Sequence, residues 1–195
     1  TYDMRLALEM IDTLGLSLAQ EFYWYNPSRM PAPAQWVTIK KTRAKDSVNK
    51  LLWFSKSDSP KASNERVLQP YSDAFDKKLN RGITEEHQRP SGHKPSKYFN
   101  KRNLGSIPGN LLAVANNNAH EPYLLYCKKH NLKPHPARFP FQVPEFFIRF
   151  LTEEGDKVID PFAGSCTTGY AAEILNRKWM CIEANPAYVA TAPGH

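Results

Sequence analysis

The sequence predicts an α/β protein of Rossmann-like type that carries a loop-rich insertion, and three observations point there. Residues 157–183 read as strand, small-residue turn, helix and second strand, with an acid closing each strand. Residues 4–55 show first a helical and then a strand pattern, and residues 58–130 are polar and irregular. A chain of 195 residues with 41% hydrophobic and 12% aromatic content has enough apolar material for a packed core.

In order along the chain, Leu6, Met10, Ile11, Leu14 and Leu18 fall at helical spacing and predict a helix over residues 4–18. Phe22-Tyr23-Trp24-Tyr25 then has the aromatic density of a strand, closed by Asn26-Pro27. Pro27, Pro31 and Pro33 exclude regular structure over residues 27–35, the basic stretch Lys40, Lys41, Arg43, Lys45 follows, and residues 49–55 read as a buried strand. Residues 58–131 interleave Ser, Pro, Asn and Lys with weak periodicity. After Pro140 regularity returns, with an amphipathic helix over 144–151, a strand at 158–160, a helix over 168–176 and a strand over 179–183. The division expected is 1–57, 58–130 and 131–195.

The three cysteines, Cys127, Cys166 and Cys181, form no CxxC pair and leave an odd count, so neither a disulfide framework nor a metal site is expected. No apolar run is long enough to cross a bilayer, and Thr1-Tyr2-Asp3-Met4 opens neither a secretory leader nor a chain with its initiator Met. The expectation is a cytoplasmic protein without membrane association, and a fragment. A net charge of +7 favours a polyanionic partner, although nucleic acid, an anionic membrane and plain solubility all fit it.

The informative stretch for chemistry is Val158-Ile159-Asp160-Pro161-Phe162-Ala163-Gly164-Ser165-Cys166-Thr167-Thr168-Gly169. Small residues at a strand-to-helix turn let backbone approach a ligand, and Glu183 follows Asp160 at about the distance where an acid grips ribose hydroxyls, roughly 20 residues. A dinucleotide would prefer a glycine-rich phosphate turn. S-adenosylmethionine (AdoMet) has no phosphate but carries a sulfonium and an ammonium, and an Asp at the turn suits that cation. The plainer alternative is that Asp160-Pro161 caps an ordinary turn.

Asp160-Pro161-Phe162-Ala163-Gly164-Ser165-Cys166-Thr167-Thr168 resembles the AdoMet-binding signature of DNA amino-methyltransferases, with Cys166 where Gly is usual. Cys is small enough to fit there, and is strained if the position needs a positive φ. Lys133-Pro134-His135-Pro136-Ala137-Arg138-Phe139-Pro140 resembles the family segment that closes over the methionine end of AdoMet, with Phe139 as an apolar wall and Phe146 and Phe147 as core. The resemblance implies that His135, Arg138, Phe139, Asp160, Pro161, Phe162, Gly164, Ser165, Thr167 and Glu183 bind the cofactor.

Residues 89–102 hold five Lys/Arg, one His and no acid, interleaved with aromatics and turn residues, which suits phosphate contact and base-edge reading or, more plainly, a solvated loop. Their place before the AdoMet segment resembles the class of these enzymes whose target-recognition region precedes it. The phrases around His93, Ile107-Pro108-Gly109-Asn110-Leu111 and His135 are similar to the cytosine-N4 group. The likeness implies that Arg89, His93, Lys94, Lys97, Lys101 and Arg102 bind duplex DNA. It also implies methyl transfer to cytosine N4, with adenine N6 or a non-catalytic DNA-binding remnant as alternatives. A restriction endonuclease would be a functional partner only.

Family catalysis uses a Ser/Asp-Pro-Pro-Tyr loop, and no Pro-Pro pair occurs in this sequence. In this class the loop lies N-terminal to everything present, so catalytic residues are expected outside the chain. The strand ending at Asp160 is expected to have an open edge.

Overall fold

The computed structural model describes residues 2–81, 103–117 and 121–195. They fall into two compact units, residues 1–62 with 109–195, and residues 63–108.

The larger unit opens with helix α1 (Tyr2–Asp12), shorter than periodicity predicts. Gly15 adopts φ 63° and donates to the Ile11 carbonyl, which stops the helix, and Leu18 therefore belongs to the next strand. Strand β1 (Ser17–Tyr25) pairs antiparallel with β2 (Val48–Ser55), Phe22 opposite Leu51, with a register shift between Leu18 and Gln20. Strand β3 (Leu111–Ala113) runs parallel to β1 on its other side, Tyr23 opposite Leu111. Sheet order is β2-β1-β3.

Helix α3 (Pro122–Lys129) buries Tyr123 and Cys127, which stand one turn apart. Pro122 occupies its first turn, where the missing N–H costs nothing. Helix α4 (Gln142–Leu151) has two working faces. Phe146, Phe147 and Phe150 all meet the ring of Phe22 edge-on, at 6.0, 5.1 and 6.0 Å, and Phe150 also meets Trp53 at 5.2 Å. Ile148, on another face, joins Ala171, Ala172 and Leu175, with Phe141 and Val158 packed against that cluster.

Strands β4 (Lys157–Asp160) and β5 (Lys178–Cys181) form a separate parallel pair, Asp160 opposite Cys181, joined by helix α5 (Thr167–Ile174). This is the predicted β-α-β unit, although its second strand stops two residues short of Glu183. Helices α3 and α5 both end in a left-handed Asn: Asn131 (φ 52°) and Asn176 (φ 58°). In each case the next residue donates back to a carbonyl five residues earlier, Leu132 to Cys127 and Arg177 to Ala172, each at 2.8 Å. Among the described residues β5 is the only strand beside β4. A short helix α6 (Pro186–Val189), capped by the Asn185 side chain, follows.

In the smaller unit, helix α2 (Asp73–Asn80) is capped by Ser72, whose Oγ accepts from the Phe75 N–H. Gln69 and Ser106 exchange two backbone hydrogen bonds, of 2.9 and 2.8 Å. A Cβ on Gly105 would stand 2.7 Å from the Gln69 carbonyl oxygen, so this bridge needs glycine. Residues 58–131, expected to be loop-rich with only weak periodicity, contain α2, β3 and α3. Their apolar positions are too few for a periodic signal, and β3 gains its partner only across a long loop.

Candidate functional site

The C-terminal ends of β4 and β5 bring Asp160 and Glu183 to one edge, as the acid spacing predicts. Asp160 Oδ1 accepts from the Phe162 N–H at 3.0 Å, and Oδ2 accepts from the Thr168 hydroxyl at 2.6 Å. The carboxylate thus closes the turn and also leaves negative charge at its mouth. Glu183 Oε1 accepts from the Asn185 N–H at 2.9 Å and Oε2 from the Gly164 N–H at 2.8 Å. These two bonds, Asn185 foremost, hold its carboxyl below the usual carboxylate range.

Gly164 has φ 55°, and a Cβ there would lie 3.2 to 3.4 Å from three atoms of the His135 imidazole. Glycine therefore lets the His135 ring lie directly on the turn. The edge of Tyr188, from α6, meets that ring at 4.5 Å. The next residues, Ser165 and Thr167, are buried with their hydroxyl oxygens 2.8 Å apart. Cys166 takes φ 66°, the left-handed conformation that its replacement of Gly makes strained. Its thiol and that of Cys181 crowd Gly169, where a Cβ would stand 2.8 and 2.9 Å from the two sulfurs. Burial, with Cys166 beside it, pushes the Cys181 thiol up to about 12. All three cysteines are free.

A chain of hydrogen bonds through the buried Tyr123 and Thr191 fixes the approach segment. The His135 N–H donates to Tyr123 Oη at 2.9 Å, Tyr123 Oη lies 2.9 Å from Thr191 Oγ1, and Thr191 Oγ1 donates to the Tyr188 carbonyl at 2.6 Å. An N–H can only donate and a carbonyl can only accept, so the middle bond runs from Tyr123 to Thr191. Neither Tyr123 nor Thr191 was legible as a site residue, because the first hides in the polar stretch and the second lies beyond the β-α-β unit.

The other predicted cofactor residues are less concentrated. Pro161 and Phe162 are exposed at the turn, Phe162 to 89%. Phe139 is half-buried. Arg138 pairs with Glu121 and lies 5.1 Å over the Tyr123 ring. It lines a cavity of about 440 Å³ with Asn116, Phe141, Tyr170 and His195, a set that includes neither Asp160 nor Glu183. His195 stacks between Tyr123 at 4.9 Å and Tyr170 at 5.1 Å. Arg89, His93, Lys94, Lys97, Lys101 and Arg102 lie outside the described residues. No described group of His, Cys, Asp and Glu could hold a metal ion. No described helix is long and apolar enough to cross a membrane.

Two anionic side chains at the carboxyl edge of a parallel β-α-β unit, with a small-residue turn between them, are the arrangement expected of a Rossmann-like nucleotide or AdoMet site, and their chemistry fits the cationic AdoMet. The chain matches the DNA methylase family of N6/N4 methyltransferases over residues 3–193 and belongs to it. It is 48% identical over 194 residues to the type II methyltransferase M.PvuII of Proteus hauseri, covering 98% of this chain and 57% of that one. It is 35% identical to M.HpaI of Haemophilus parainfluenzae over half of this chain and 29% of that one. Among solved structures, the cytosine-N4-specific PvuII DNA methyltransferase superposes with TM-score 0.77 at 40% identity, over 99% of this chain and 56% of that one. The M1.HpyAVI–SAM complex shares the fold, with TM-score 0.57 at 19% identity over 98% of this chain and 69% of that one. The chain spans little more than half the length of M.PvuII.

Proposed function

We propose that this chain forms the cofactor-binding and target-recognition portion of a site-specific DNA methyltransferase that methylates cytosine N4 in duplex DNA. The observation that carries this reading is the 40% identity and TM-score of 0.77 to a cytosine-N4-specific enzyme, extending over the Asp160–Glu183 edge. AdoMet, when bound, supplies an electrophilic methyl group. Glu183 would hold the ribose hydroxyls, its carboxylate already oriented and kept ionised by the Asn185 and Gly164 N–H groups. Asp160 would face the cationic end, its turn fixed by Thr168 and Phe162. His135 and Phe139 would wall the site, with Pro161, Phe162, Ser165 and Thr167 shaping the turn and Arg138 bracing the approach segment.

Methyl transfer to an amine requires no covalent enzyme intermediate, which fits a Cys181 thiol held protonated at physiological pH. Within residues 58–130, Arg89, His93, Lys94, Lys97, Lys101 and Arg102 would contact the duplex. The setting would be the bacterial cytoplasm, with an endonuclease of matching specificity as functional partner.

Two measurements test this reading. Calorimetry with the chain should detect AdoMet binding that Glu183→Gln weakens at least tenfold, and absence of binding sinks the cofactor site. Plasmid DNA treated with AdoMet and the protein encoded by the whole reading frame, then digested to nucleosides, should contain N4-methylcytosine. N6-methyladenine in its place would move the reading to the adenine enzymes.

A further inference from the structure

The connection between β1 and β2, residues 27–47, carries five Lys/Arg and one acid, more than half of the chain's net charge of +7. It lies within the larger unit and, in sequence, precedes residues 58–130. Its three prolines suggest an unstructured loop, yet the backbone is closely tied. Asn26 donates to Ser47 at 2.8 Å, and Asp46 donates to Ala32 at 2.9 Å. The Trp36 carbonyl accepts from both Thr42 and Arg43, at 2.9 and 3.3 Å. One turn of helix, Gln35–Ile39, seats the Trp36 indole at the surface, 38% exposed. Lys40 Nζ lies 4.3 Å and the Arg43 guanidinium 4.8 Å from the indole ring centroid.

The Trp36 ring therefore gathers two cations that would otherwise repel each other. Lys45 differs, for its ammonium donates to the Arg29 carbonyl at 3.2 Å and holds the loop together. Among the described residues, no carboxylate stands within salt-bridge distance of Lys40, Lys41 or Arg43. An ordered loop that clusters exposed cations with no carboxylate within salt-bridge distance of them is complementary to a polyanion of regular spacing.

We propose that this loop is a second DNA-contacting surface, which grips the phosphate backbone of duplex DNA irrespective of sequence. The inference rests on the reading of the protein as a DNA methyltransferase, and it assigns to the β1–β2 loop a positioning task separate from base recognition. Lys40 and Arg43 carry it, with the Trp36 face as their common support.

The test is fluorescence anisotropy with the whole chain and labelled duplexes of several sequences, titrated between 50 and 200 mM salt. Each phosphate contact contributes about 0.9 to the slope of log affinity against log salt. Lys40→Ala/Arg43→Ala should flatten that slope by about 2 and weaken binding by tenfold or more, alike on every duplex. Lys40→Arg/Arg43→Lys should restore the slope. Lys157→Ala/Lys178→Ala, which removes equal charge from the exposed starts of β4 and β5, should leave it near the parental value. An unchanged slope in the first variant, with parental binding intact, overturns the loop proposal and leaves the enzyme reading standing. No duplex binding by the parent chain at any salt overturns both. Stronger retention on RNA or anionic vesicles, lost in the same variant, assigns the loop to that partner and overturns the DNA proposal.

Discussion

The Tyr123 hydroxyl meets the Thr191 hydroxyl at 2.9 Å with both residues wholly buried, joining α3 to the turn after α6 across 68 residues of sequence. Through the His135 N–H at one end and the Tyr188 carbonyl at the other, this pair holds the two rings that meet beside the Gly164 turn. Tyr123→Phe would leave the His135 N–H and Thr191 without their partner, at a cost of about 1–3 kcal/mol. Urea unfolding should show that loss. Thr191→Val should be similarly costly, and the double variant should cost clearly less than the two singles combined. Additive effects would mean that the bonds act independently.

Gly164 is predicted to tolerate no side chain. Gly164→Ala places a methyl against the His135 ring and forces Ala into φ 55°. AdoMet affinity should fall at least tenfold by calorimetry. Adding His135→Ala should recover part of the loss, since it removes the clash but not the backbone strain. If the double variant binds no better than Gly164→Ala, the His135 contact is immaterial.

Cys166 permits a comparison in which the usual order of helix-friendly residues reverses. Cys166→Ala loses the sulfur packing and keeps the left-handed strain, whereas Cys166→Gly loses the sulfur and releases it. Gly should therefore exceed Ala in stability by about 1 kcal/mol, read from denaturant midpoints. Equal midpoints would show that the turn relaxes around Ala.

His195, stacked between Tyr123 and Tyr170, is held below the usual histidine value by burial. The unfolded chain then binds the proton more readily than the folded one, so stability should be full at neutral pH and fall as pH drops below the unfolded value of about 6.5. His195→Phe should abolish that part of the pH dependence in thermal melts. An identical acid limb in parent and variant would assign the loss to the carboxylates.

Legibility in the sequence followed the range of the interactions. Helices α4 and α5 and strands β4 and β5 were readable because their periodicity is local, and Asp160 and Glu183 because a β-α-β unit fixes their spacing. The strain at Cys166 was also foreseeable, since a residue in a turn that favours Gly implies a left-handed backbone. Strand β3 was not readable: three residues have no periodicity, and parallel pairing with β1 is decided by packing. Helix α1 was read too long because apolar spacing continued through Gly15, whose conformational freedom ended the helix. The Tyr123–Thr191 pair escaped because two polar side chains reveal their mutual satisfaction only once burial has removed water from both.

Helix α4 has a wider consequence for how the larger unit holds together. Its phenylalanines interlock with Phe22 and Trp53 of one sheet, while Ile148 sits among the side chains that cover the other. Ten residues thus act as a shared rivet between two separately hydrogen-bonded sheets. Loosening that rivet would uncouple them into independent cooperative units, so weakening α4 should separate the unfolding of the Asp160–Glu183 edge from that of the three-stranded sheet.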